Sequence, residues 1–124
     1  MNSAEINPSI FLQLLSTDPD ERNKATEIIS QFIHSTDFFH YLVKLLTTPE
    51  INQNTSLLTQ ILIVLKVSVK KLYNECSIIN EAFEKGIPIS LINLLTSIPV
   101  ELHAHIVDCF RQINEETYKK GNVL

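Results

Sequence analysis

The sequence predicts an all-α fold, and three observations carry the prediction. The 124 residues include only two Gly and five Pro, too little turn chemistry for a sheet of many short strands. The stretch from Ile51 to Tyr73 holds no Pro, Gly, Asp or Glu and repeats its apolar residues at helical spacing. A Leu-Leu segment, a turn rich in Ser or Thr with a Pro, and a longer amphipathic stretch follow one another three times. The length allows one domain with a modest core.

Taken in order, residues 1 to 7 read as a short polar tail. Asn7 is placed to cap a helix and Pro8 suits its first turn. Ile10, Phe11, Leu14 and Leu15 make a brief apolar stripe, and Ser16-Thr17-Asp18-Pro19 ends it. The next helix has a clear start: Asp18 as cap, Pro19 at the first helical position, Glu21 three residues after the cap. Its expected buried stripe is Ala25, Ile28, Ile29, Phe32 and Ile33. His34 to Asp37 form a turn. A third helix starts near Asp37 with Phe38, Phe39, Leu42, Val43, Leu45 and Leu46 inside, and Thr47-Thr48-Pro49-Glu50 closes it.

The long central helix follows. At 100° per residue, Leu57, Leu58, Ile61, Leu62, Val64, Leu65, Ser68, Val69, Leu72 and Tyr73 share one broad arc. The opposite arc carries Thr59, Ile63, Lys66, Val67 and Lys70, with Lys71 at its edge and no acid. An apolar arc that wide needs neighbours on two sides. Beyond it, Ser77 is a candidate cap for a short helix through Phe83, and Gly86 and Pro88 punctuate the chain. Ile89, Leu91, Ile92, Leu94 and Leu95 form another apolar run. Ser97-Ile98-Pro99 opens the last strong helix, with Leu102, Ile106, Cys109, Phe110 and Ile113 on one face. From Glu115 the chain turns polar and is expected to fray.

The recurring turns are STDP, TTPE and TSIP. They divide the chain into units of roughly 8–34, 37–74 and 77–115, with a tail at 116–124. Repeats of about 40 residues with this layout predict an α-solenoid of about three HEAT/armadillo-like helix pairs. In such a stack the second helix of the middle unit is covered on both sides. The last helix carries apolar residues beyond a single stripe (Ile106, Val107, Phe110 and Ile113), so an open end and self-association through it are expected.

Composition narrows the function classes. A net charge of −4 argues against nucleic acid as the partner. The N-terminus lacks a basic segment followed by an apolar run, and Lys66 interrupts the most apolar stretch well short of a membrane span. Cys76 and Cys109 stand apart without metal-type spacing, which fits a reduced, cytoplasmic or nuclear setting. His103 and His105 are two apart on a helix and point away from each other, and His34 and His40 are isolated. No nucleophile elbow, Gly-rich phosphate loop or HExxH is present. A non-catalytic binding module, with no cofactor and no metal, is therefore expected.

Four segments in sequence order resemble the N-terminal repeats of the importin-β family of nuclear transport receptors. Arg22-x-x-Ala25-x-x-Ile28-Ile29, after Asp18-Pro19-Asp20, resembles the family's RxxAExxL segment. Asp37-Phe38-Phe39 with Leu42 to Leu46 resembles its following P-x-F…LL segment. Leu65-Lys66-Val67-Ser68-Val69-Lys70-Lys71-Leu72-Tyr73 resembles its LKNxIxxxW signature, with Val67 in place of Asn and Tyr73 in place of Trp. Ser97 through Cys109 resembles the start of its third repeat. Leu58 lies near a position where the family often has Arg, and family members continue for many more repeats.

The resemblance implies that the central helix faces the small GTPase Ran in its GTP-bound form, in nucleocytoplasmic protein transport. Lys66 matches the family's signature lysine. Lys70 lies one turn on, and Ile63 and Val67 sit beside them at i, i+4. Those four residues are the candidate partner contacts. The alternative is a generic armadillo or HEAT scaffold for protein–protein interaction unrelated to transport, with the lysines merely solvating a helix. Arg22 reads as a structural residue near Asp18, Asp20 and Glu21, and Cys109 as core.

Overall fold

The computed structural model describes residues 9–33, 35–75 and 86–119. Every regular element among them is helical, as the sequence predicts. The order is α1 (Ile10–Gln13), α2 (Pro19–Ser30), α3 (Thr36–Leu46), α4 (Pro49–Asn52), α5 (Thr55–Glu75), α6 (Ile87–Leu94), then a 3-10 turn (Val100–Leu102) running into α7 (His103–Lys119). The expected Asn7 cap, the His34 turn residue, Cys76, the short helix from Ser77 to Phe83 and the last residues of the tail lie outside the described residues.

The start of α2 follows the sequence signal, with one addition. Asp18 is extended, and its Oδ1 accepts from the Asp20 N–H at 3.0 Å. Pro19 fills the first helical position, where no N–H is needed. Glu21 reaches the cap through a relay. The Ser16 hydroxyl accepts from the Asp18 N–H at 3.1 Å and donates to Glu21 Oε2 at 2.8 Å. Arg22 donates to the Ser16 carbonyl at 3.3 Å, so its role in this turn is structural. Ala25, Ile29, Phe32 and Ile33 are buried, but Ile28 stays 42% exposed. It lies about 100° round the helix from Ile29, beyond the narrow stripe that α2 turns inward.

α3 begins one residue before Asp37, with the Ser35 hydroxyl accepting from the Asp37 N–H at 3.1 Å. Phe38, Phe39, Leu42, Leu45 and Leu46 are buried and Val43 is half-buried. The Phe38 ring stacks 6.3 Å from both Phe32 and Tyr41, tying the end of α2 to α3.

The central helix starts later than expected. Pro49–Asn52 makes a separate helical turn, and Asn54 then caps α5. Asn54 Oδ1 accepts from the Leu57 N–H at 3.1 Å and its carbonyl from the Leu58 N–H at 2.9 Å. From Thr55 the helix is unbroken for 21 residues, about 30 Å at 1.5 Å per residue. All ten residues of the broad apolar arc are buried. Helices α1, α3, α4 and α7 pack on α5, most extensively α7. A fully buried arc of this width requires several neighbours, and these supply them.

Gly86 precedes α6 with φ 74°, a left-handed conformation that a side chain would strain. Ile87, Leu91 and Leu94 face inward while Ile89 and Ile92 face solvent, so the apolar run divides between two faces. On α7, Leu102 at its entry, Ile106, Cys109 and Ile113 are buried and Phe110 is half-buried. The helix continues to Lys119 instead of fraying at Glu115, because no Gly or Pro interrupts the sequence before Gly121. α1 also packs on α2, α6 on α7, and α3 on α6.

Candidate functional site

The outer arc of α5 is the surface that the sequence singles out. Its apolar members are Ile63, 39% exposed, and Val67, 42% exposed, one turn apart. Lys70 and Lys71 are exposed, and Thr59 is half-buried. Ile63, Val67 and Lys70 therefore form a short open strip along a helix whose other side is wholly core.

Lys66 is placed differently from the other three. Its ammonium Nζ lies 3.5 Å from Asp108 Oδ2 on α7, and its side chain keeps 26% exposure. Asp108 also meets Arg111 NH2 through its other oxygen, at 3.2 Å. The arc is free of acids along α5 itself, yet α7 brings one to its edge. Periodicity within α5 carries no information about a residue 42 positions away, so the pair has no signal in the sequence.

Two titratable groups of α7 register this seam. Burial pushes the His105 pKa below its ordinary 6.5; the Lys66 ammonium lowers it further and the Asp108 carboxylate acts the other way. Its Nδ1 is buried with no hydrogen-bond partner. Burial drives the Cys109 thiol up to about 12, with smaller opposed effects of Lys66 and Asp108. A thiol so held is a packed core group with little thiolate at neutral pH. His103 lies apart from His105, its Nε2 3.2 Å from the Ile98 carbonyl. Among the described residues, no group of three His, Cys, Asp or Glu side chains is placed to hold a metal ion.

Other surfaces are apolar too. Val100 is 71% exposed, Ile89 65% and Val107 56%. Of the four apolar residues expected at an open end, Ile106 and Ile113 are buried, Phe110 is half-buried and Val107 alone is exposed. The α6 pair, Ile89 and Ile92, belongs to the apolar run of the sequence but faces solvent. The spacing accounts for this, since Ile87, Leu91 and Leu94 make the i, i+4, i+7 stripe that is buried. A shallow polar depression lined by Asp20, Asn23, Lys24, Thr26, Glu27 and Ser30 follows the solvent side of α2. Among the described residues, no helix is long and apolar enough to cross a membrane. No family model, curated protein or solved structure matches the chain.

Proposed function

We propose that this chain is a non-catalytic protein-binding module, a stack of about three HEAT/armadillo-like helix pairs whose α5 outer arc meets a partner protein. The packing of α1 on α2, α3 on α5 and α6 on α7 supports three pairs, and the contact of α5 with α7 supports their stacking. The observation that carries the binding reading is the pair Ile63 and Val67. They stay exposed beside Lys70 in the middle of a helix whose other apolar residues are all buried. Apolar side chains one turn apart, rimmed by cations, fit the anatomy of a protein contact.

The resemblance to importin-β N-terminal repeats makes a GTP-bound Ran-type GTPase the partner to test, in nucleocytoplasmic transport and with a cytoplasmic and nuclear location. A pull-down with the GTPase in its two nucleotide states is the test. Retention of the GTP form over the GDP form supports this partner; equal retention or none opposes it. One observation favours the second reading, a helical-repeat scaffold unrelated to transport: Asp108 already pairs with Lys66, the lysine on which the family signature rests. A scaffold would bind through Ile63 and Val67 with no dependence on nucleotide.

A further inference from the structure

Asp108 lies beside Lys66 at the seam between α5 and α7. It joins two cations through different oxygens: Oδ2 faces Lys66 Nζ at 3.5 Å, Oδ1 faces Arg111 NH2 at 3.2 Å. The Arg111 contact lies within one helix at i, i+3, whereas the Lys66 contact spans two helices. Charge-assisted hydrogen bonds of full strength run near 2.7–2.9 Å. Asp108 therefore holds Lys66 loosely and has a second cation on its own helix. The carboxylate keeps 35% exposure, so it is within reach of a competitor. Lys66 and Arg111 thus set two cations on one acid, on a chain of net charge −4. The sign of this edge is opposite to that of the chain, which makes an acidic group its complement.

We propose that the seam between α5 and α7 is a docking site for an acidic side chain of a partner protein, with Asp108 as its internal stand-in. The incoming carboxylate takes Lys66, and Asp108 retires onto Arg111. This rests on the reading of the α5 outer arc as a protein-binding surface, and adds the chemistry of the partner group and the ion-pair exchange that admits it. Ile63 and Val67, at i−3 and i+1 from Lys66, supply the apolar border. Asp108 keeps the ammonium paired while the site is empty and weakens every acidic ligand by the same competition.

The test is a binding cycle with fluorescently labelled poly-L-glutamate at low ionic strength. Asp108→Asn should tighten binding about fivefold, the size of one surface ion pair. Adding Lys66→Gln should remove that gain. Glu101→Gln makes the same charge change in the exposed 3-10 turn, outside the Asp108–Lys66 contact, and should alter binding less than about twofold. Arg111→Gln should weaken binding more in the parent than in the Asp108→Asn background, because only the parent needs Arg111 to receive Asp108. Circular dichroism checks that each variant is folded.

Equal effects of Asp108→Asn and Glu101→Gln would reduce the site to a general field and overturn the proposal. So would a gain that survives Lys66→Gln, or no binding by either the parent or the Asp108→Asn variant. The GTPase is absent from this cycle. A chain that completes the cycle but ignores the GTPase keeps the acid site and loses that partner. A chain that binds the GTPase but shows no Asp108–Lys66 coupling keeps the face and loses the exchange.

Discussion

Helices α2 and α5 are held in place by different means. α2 buries only Ala25 and Ile29 among its 12 residues, and its start is fastened by Asp18, Ser16, Glu21 and Arg22 in one hydrogen-bonded turn. α5 has the capping side chain Asn54 and, among its described residues, ten that are buried. Local chemistry defines where α2 begins; neighbours define α5. The difference teaches where function has room to sit. On α2 most positions face solvent, and single exposed residues there carry no signal. On α5 every other apolar residue is buried, so an exposed Ile63 and Val67 stand out.

The comparison breaks most forcefully at the core of α5. Leu65→Ala removes a side chain with no exposed surface and should cost about 2–5 kcal/mol in chemical denaturation. Because α1, α3, α4 and α7 all rest on this helix, the loss should appear as one cooperative shift of the whole transition. A loss under about 1 kcal/mol would mean that α5 is not the shared support.

The matching change on α2 is Asp18→Ala. It removes the cap and should cost about 1 kcal/mol. Amide hydrogen exchange should show the opening concentrated in residues 20–24, with α5 protection changed only by the global shift. Uniform loss of protection along both helices would contradict local fastening.

A smaller effect of opposite sign is expected at Ser68. Its hydroxyl is fully buried on α5 with no hydrogen-bond partner. Ser68→Ala relieves an unsatisfied group at almost constant volume and should stabilise by about 0.5–1 kcal/mol. Destabilisation would show that the hydroxyl has a use in the folded chain.

The smallest effect concerns the α5–α7 seam and pH. The folded His105 has its pKa lowered from 6.5, mainly by burial, so the unfolded chain binds the proton more readily. The stability tied to this group is fully present above 6.5 and is lost as pH falls through the lower folded value. His105→Gln should flatten the fall in thermal midpoint below that pH relative to the parent. Parallel curves for variant and parent would remove His105 from the pH dependence.

Much of this contrast is legible in the amino-acid sequence. The cap residue Asp18, the Pro at the helix start and the ten-residue arc of α5 follow from local rules and from period 3.6, which need no knowledge of neighbours. What escaped depends on the third dimension. Ile28, Ile89 and Ile92 are apolar at plausible positions, and only the width of the covered stripe leaves them outside. The break at Gln53–Asn54 was signalled by Asn54, a good cap residue, but the apolar Ile51 drew the helix start forward. Lys66 was read from its own helix, and its pairing with Asp108 depends on how α7 is laid against α5. Candidate contacts Ile63, Val67 and Lys70 lie on the open strip as their spacing implied, while Lys66 lies at its edge.

The most direct test of the binding face is an NMR titration of the isotope-labelled chain with unlabelled GTP-loaded Ran-type GTPase. The expected result is perturbation centred on Ile63, Val67 and Lys70, spreading to Lys66 and Asp108, and abolished by the Ile63→Ser/Val67→Ser double variant. Both side chains are partly exposed, so that variant should stay folded with a modest loss of stability, which circular dichroism and thermal melting check. Perturbation centred on α2 or α6, or undiminished binding by the double variant, would contradict a partner site on the outer arc of α5.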